Sequence, residues 1–328
     1  MKLTELVWPR VKETYGETPP QAVTDRIAAE LELIEANGWE EQLLRAYEIT
    51  RRLRAAGVLW YVPGIDGGFL LLAFLLGITP VNPLPPHYLC PRCKHFEFSD
   101  EAADGFDLPA RACPHCGGAM EGDGHGLELD DCADYLAGFR CSYEPFTEWR
   151  VSLGGKAVIG EFLTQCGPVT PFFIAAFEEV PDHDTDPYDD SEGGRAKVGG
   201  WVLSPPETLP VTKWKAVEYP EGSGRFVQAF HRADELSDLT GMYRVFDSWE
   251  LELLALLSRE TKVPPESIPY REEGGFYAAA KTVSDRFYRP DSPGSKATGI
   301  NGAIRSRRLA WFEREYPREY EKLSEGER

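Results

Sequence analysis

Residues 90 to 116, Cys90-Pro-Arg-Cys93, then KHFEFSDEAADGFDLPARA, then Cys113-Pro-His-Cys116, decide how the rest of the chain is read. Two CxxC pairs separated by 19 residues lie in the spacing band that closes one tetrahedral zinc site, because each pair aims two thiolates at the same point. Four thiolates leave no coordination position for water or substrate, so the Zn2+ expected on Cys90, Cys93, Cys113 and Cys116 is structural. A redox CxxC has no need of duplication. His95 and His115 flank the cysteines but are surplus to a complete four-sulfur shell, and they read as surface residues. The chain has seven cysteines, an odd number. In a reducing compartment this favours metal ligation over a disulfide framework and leaves Cys132, Cys141 and Cys166 as ordinary thiols.

Upstream of the module, residues 79–88 (TPVNPLPPHY) hold four prolines, which exclude helix and deliver the chain in extended form to Cys90. Before them lies the longest apolar run, Phe69 to Ile78 (FLLLAFLLGI). It covers half of the roughly 20 residues that a membrane-spanning helix needs, so it predicts a buried helix and no membrane partner. Pro63-Gly64 and Gly67-Gly68 form a glycine-bearing turn into that helix, an arrangement that in other contexts cradles a phosphate. A short strand is expected at 58–62. Val23, Ile27, Leu31 and Ile34 predict a helix over 22–37 stopped by Gly38, and Leu43, Leu44, Tyr47 and Leu53 predict a second that begins near Glu40 and is followed by Gly57. The N-terminal residues MKLTELVWPRVKETYG carry no continuous apolar stretch with a small-residue cleavage site, so a cytoplasmic location is expected.

Downstream, strands are expected at 149–162 and 198–204, and a hairpin joins 211–219 to 225–231. Residues 178–192 carry eight carboxylates and no Lys or Arg, the composition of a solvated loop. A calcium loop through Asp182, Asp184 and Asp186 fails because Pro187 stands where glycine is required. Helices are expected at 248–260, 276–287 and 304–323, with a Pro, Gly and Ser-rich linker over 289–299. The fold class is therefore α+β: a mixed sheet with flanking helices and an inserted four-cysteine zinc module. Its divisions are a helical lead-in (1–57), an α+β domain (58–88 and 121–270), the zinc module (89–120) and a C-terminal helical segment (271–328).

Fifty-four acidic against 35 basic side chains give a formal net charge of -19, which opposes non-specific binding to nucleic acid or an anionic membrane. Contact with DNA would need a local basic patch, for which Arg92, Lys94 and the run Arg305, Arg307 and Arg308 beside Trp311 are the candidates. The competing reading of that run is a salt-bridged helix face, since EREYPREYEKLSEGER supplies acidic partners.

NPLPPHYLCPRCKHFEF, GFDLPARACPHCG and DGHG occur in the order found in the cysteine-bearing stretch of PolC-type DNA polymerase III alpha subunits, and this chain resembles that family. YGETPPQAVTDRIAAELELIEANG is similar to the helical lead-in of the family's palm. More weakly, VGGWVLSP resembles its HPGG-containing strand and LLSRETKVPPESIP a segment after its third catalytic aspartate. The resemblance implies a polymerase palm-like scaffold without the family's proofreading, phosphoesterase and duplex-binding domains. Family enzymes hold two magnesium ions on three palm aspartates. Here the counterpart of the family's Pro-Asp-x-Asp is Pro145-Phe146-Thr147-Glu148, and the third aspartate falls on Arg244. The family's Ser-Arg-Gly-Ser phosphate turn becomes Val62-Pro63-Gly64-Ile65-Asp66.

With Phe146 and Arg244 in place of ligands and only Glu148 acidic, the resemblance implies a non-catalytic pseudo-polymerase that acts as a binding or regulatory subunit with a protein partner. One alternative is a metal-dependent nucleotidyl or phosphoryl transferase using relocated carboxylates, Glu144 and Glu148 or Asp234, Asp238 and Asp247. Another is a DNA-binding replication accessory protein.

Overall fold

The computed structural model describes residues 2–63, 67–129, 145–174, 197–203, 215–218, 226–229, 241–268 and 293–326. Three helices open the chain. In α1 (Leu3–Tyr15) the buried Leu3, Val7, Val11 and Tyr15 recur every four residues and so share one face. α2 (Gln21–Asn37) and α3 (Glu40–Ala55) follow the expected pattern, and Gly38 ends α2 in the left-handed region at φ 70°. The next strand, β1, is only Trp60–Tyr61. The apolar run after it is buried as expected, but its helix, α4, is confined to Leu71–Leu75. The helix stops there because Gly77 turns left-handed at φ 69° and Pro80 follows.

The cysteine module is a small antiparallel sheet. β2 (His87–Leu89), β3 (Phe96–Phe98), β4 (Arg111–Ala112) and β5 (Ala119–Asp123) are arranged in the order β3-β2-β5-β4, with a 3-10 turn at Gly105–Asp107. The DGHG segment locks its open end. Asp104 accepts from Phe106 N (2.9 Å) and pairs with His125 Nδ1 (2.8 Å) where both side chains are fully buried. Gly124, at φ 95°, leaves no room for a Cβ, which would stand 2.3 Å from Pro85 O and 2.7 Å from the His87 ring.

A second, mixed sheet is formed by β1 with β6 (Glu148–Val151), β7 (Thr170–Ile174), β8 (Lys197–Val202) and β11 (Met242–Asp247), in the order β1-β6-β11-β8-β7. Among the described strands of this sheet only the β6–β11 pair is parallel, and its register sets Arg244 opposite Glu148. β9 (Lys215–Glu218) and β10 (Phe226–Ala229) pair antiparallel, as the predicted hairpin requires. The helices α5 (Gly155–Cys166), α6 (Trp249–Thr261), α7 (Pro293–Glu315) and α8 (Pro317–Gly326), with a 3-10 turn at Pro265–Ser267, complete the described elements. This is the α+β class expected, with two larger sheets and the four cysteines clustered in one of them.

Two expectations are corrected. The strand predicted over 149–162 ends at Val151, and α5 begins at Gly155 because Ile159, Phe162 and Leu163 form a buried helical stripe. The linker predicted over 289–299 is helical from Pro293 onward, where a proline is tolerated in the first turn of α7. The acidic stretch 178–192, the helix expected at 276–287, and Glu144, Asp234 and Asp238 lie outside the described residues. No helix among the described residues is long and apolar enough to cross a membrane.

Candidate metal centre and the Glu148 ion pairs

The two CxxC turns are built alike. Cys90 N donates to His95 O (2.8 Å) and Lys94 N to Cys90 O (2.9 Å); Cys113 N donates to Gly118 O (2.7 Å) and Gly117 N to Cys113 O (2.9 Å). The residue after each second cysteine is left-handed, Lys94 at φ 62° and Gly117 at φ 70°, which turns the chain back and leaves both sulfurs on the inner side. The four Sγ atoms lie within 4.8 Å of one another, with Cys90 facing Cys116 and Cys93 facing Cys113 at 3.5 Å. Among the described residues, no other group of three or more potential ligands is so close.

The Cys93 N–H, and less strongly that of Arg92, donates to Cys90 and pulls its thiol down to about 6. Cys93, although it accepts from the His95 N–H, is pushed up to about 12 beside the other thiols. One thiolate is therefore favoured at Cys90, and Cys93 resists ionising next to it. A cation would remove that conflict, and four sulfur donors of this softness and geometry fit a d10 ion such as zinc. His95 and His115 stack on each other 4.1 Å apart and belong to none of the described ligand clusters.

Of the positions singled out by resemblance, Glu148 opens β6, Phe146 precedes it by two residues and Arg244 lies on β11. Glu148, its side chain 7% exposed, pairs with Arg150 (2.8 Å) and with Arg244 (3.1 Å). The register explains the second contact, because residues opposite each other on neighbouring strands share a face. The first follows from alternation along one strand, since residues two apart point the same way. Arg150 was not anticipated, although its i+2 relation to Glu148 was visible in the sequence. Phe146 is buried at φ 64° and its backbone carbonyl accepts from Trp149 Nε1 (3.0 Å). Its ring lies against Gly67, where a Cβ would come within 2.9 Å of Phe146 Cζ. A bulky apolar ring thus fills the space between the glycine turn and β6, and the neighbouring carboxylate is held by two guanidinium groups.

Of the other carboxylates considered, Asp247 pairs with Lys156 (2.7 Å) at the far end of β11. Of the basic run on α7, Arg305 is mostly buried, pairs with Glu250 (2.8 Å) and lies over the Tyr61 ring (3.8 Å). It therefore presents little charge to solvent, and Arg92 is the exposed cation at the metal centre. Replacing Arg244 by Met would remove one of the guanidinium partners of the buried Glu148. The expected cost is about 2–3 kcal/mol, below the range for losing a sole partner because Arg150 remains. Urea unfolding of the two proteins measures it, and equal midpoints would show that Arg244 contributes nothing.

Comparison with known proteins agrees with the N-terminal resemblance. Residues 1–144 match the family profile described as the bacterial DNA polymerase III alpha NTPase domain. The DNA polymerase III PolC-type of Bacillus subtilis is 37% identical over 156 residues, 44% of this chain and 11% of that protein. The PolC-type enzyme of Thermotoga maritima is 43% identical over 129 residues, 38% of this chain and 9% of that protein. That of Caldanaerobacter subterraneus is 35% identical over 168 residues, 47% of this chain and 12% of that protein. The aligned region thus spans about a tenth of the length of these relatives. The profile ends one residue before Pro145, where the segment carrying Phe146 and Glu148 begins.

Proposed function

We propose that this chain, a relative of bacterial replicative DNA polymerase III over its first 144 residues, is a cytoplasmic pseudo-polymerase: a non-catalytic binding or regulatory subunit built on a palm-like scaffold and stiffened by one structural zinc. The observation that carries the reading is the state of Glu148. A carboxylate that already neutralises Arg150 and Arg244 is not available to a divalent cation, and a phenylalanine and an arginine supply no anionic ligand beside it. Two magnesium ions around a triphosphate require several carboxylates converging on one place. Asp247 adds none, because it faces Lys156 at the other end of its strand.

The four cysteines support zinc as the resident ion, held by Cys90, Cys93, Cys113 and Cys116 with no open position. Its contribution would be to fix the fold of the module. The net charge of -19 favours a protein partner over DNA.

Primer extension tests the catalytic part of the reading. The purified chain, given a primed template, deoxynucleotides and either magnesium or manganese, is expected to add no nucleotide. Template-directed extension that survives a tag-swap control and disappears on Glu148→Gln would overturn it. Metal analysis of the same preparation is expected to find one zinc per chain.

A further inference from the structure

On α7, Asn301 is 2% exposed and its amide Nδ2 is buried without an acceptor. One turn further, Arg305 donates from Nε to Glu250 (2.8 Å) and rests on the Tyr61 ring, yet its Nη1 is also buried without an acceptor. Positions i and i+4 lie on the same helix face, roughly 6 Å apart at Cβ. Ile300, Ala303 and Ile304 around them belong to the main core, so this face of α7 is turned inward. Two unanswered donors one turn apart on an inward face are uncommon, because a buried N–H without a partner costs about 1–3 kcal/mol. Neither can satisfy the other as placed, since a guanidinium has no acceptor atom and the amide nitrogen only donates. What both lack is an acceptor oxygen, and a cationic fork beside a neutral amide selects an anionic one.

We infer that Asn301 and Arg305 form a buried site for a small oxyanion, a phosphate or carboxylate group, at the Tyr61 end of β1. Glu250 occupies the Nε edge of the guanidinium and Tyr61 its face, so the ligand takes the Nη1 edge. Such a site does not depend on whether the chain polymerises DNA, although Tyr61 is the register partner of Arg150, which pairs with Glu148.

The test uses the full chain, with inorganic phosphate and acetate as probes at ionic strength matched with chloride. Phosphate or acetate at about ten times its Kd is expected to raise the melting temperature by roughly 2–4 °C, and whichever probe does so identifies the group. Asn301→Leu, similar in shape and without donors, is expected to melt at least as high as the wild type without ligand and to bind the active probe at least tenfold more weakly. Arg305→Lys keeps the charge but not the fork and is expected to weaken binding as well. No shift with either probe, the same shift in Asn301→Leu, or an unliganded Asn301→Leu that melts well below wild type would each overturn the proposal. So would a crystal structure in phosphate that shows only a water, or a direct Asn301–Arg305 hydrogen bond, between these side chains.

Discussion

Replacing Cys113 by serine is expected to release the metal and unfold the small sheet that carries both CxxC turns, leaving the rest of the chain folded but less stable. The reasoning starts from how little else holds that sheet. Its own apolar cluster is Tyr88, Cys90, Cys113 and Met120, with Leu108 and Cys116 against it, and half of those residues are proposed ligands. So small a core does not fold unaided, whereas a structural zinc contributes about 10–16 kcal/mol. Serine offers a hard, neutral hydroxyl in place of a thiolate, and three sulfurs bind zinc far more weakly than four. The loss should reach α1, because Phe96 packs edge-on to Tyr15 at 5.9 Å and the Lys94 side chain closes against Gly16. Zinc released per chain, followed with a chromophoric chelator, should fall from one to near zero, and amides over 87–123 should lose protection from exchange. Cobalt-loaded wild type should show thiolate-to-metal bands of a tetrahedral four-sulfur site. A Cys113→Ser protein that keeps one zinc and a protected sheet would mean that the sulfurs are not the ligands.

The cysteine site was legible because its information is local: two turns of four residues and one spacing. α2 and α3 were legible for a similar reason, since their apolar residues recur at helical intervals and Gly38 marks the join. α1 was missed although Leu3, Val7, Val11 and Tyr15 form as clean a stripe. Pro9 falls within that helix, and a proline lacking its N–H reads as a break even where the surrounding packing tolerates it. α5 was read as strand because Val151, Val158 and Ile159 are β-branched. The helical spacing of Ile159, Phe162 and Leu163 competes with that signal in the sequence, and packing supports the helix, with Gly160 so close to Trp201 that a Cβ would stand 2.5 Å from its ring. β11 was not seen at all. An arginine in MYRVFD argues against a central strand until its partner is known, and Glu148 becomes its partner only through a parallel register.

The pairing shows what an arginine at this position requires of its surroundings. An aspartate-to-arginine exchange in an otherwise intact metal pocket would place a cation among carboxylates and a buried guanidinium without enough partners. Here Arg244 sits opposite Glu148, Glu148 accepts from Arg150 as well, and Phe146 fills the side toward Gly67. The ion pairs and the ring together leave the pocket internally satisfied. Converging carboxylates without such partners would instead repel one another and resist burial in the charged form.

The second large effect is expected at Glu30, a residue with no role in that pocket. Its carboxylate is fully buried and accepts from Arg26 Nε (2.7 Å), Leu71 N (2.8 Å) and Leu72 N (2.9 Å). α4 has Leu70 at its N-cap and no capping side chain of its own, so its first N–H groups are answered by a residue from α2. The sequence does contain the sign: Val23, Ile27, Glu30 and Ile34 form one buried stripe, and a glutamate on an apolar face requires partners. Glu30→Ala would orphan two backbone donors and leave Arg26, also bonded to Leu127 O (2.8 Å), without its carboxylate. The expected cost is about 3–5 kcal/mol by urea unfolding. In a cycle with Arg26→Ala, the two residues should couple by about 1–3 kcal/mol.

The pH dependence has a definite sign. Burial pushes the Glu30 carboxyl above its usual 4.5, and Arg26 with the two N–H groups only partly offsets it. A raised folded pKa means the folded state holds the proton longer. The stability contributed by Glu30 is then fully present below about 4.5 and is lost as pH rises through the folded value. The penalty for Glu30→Ala should therefore be larger at pH 4 than at pH 8. A penalty that grows toward alkaline pH would show instead that the ionised pair with Arg26 outweighs the cost of burying the charge.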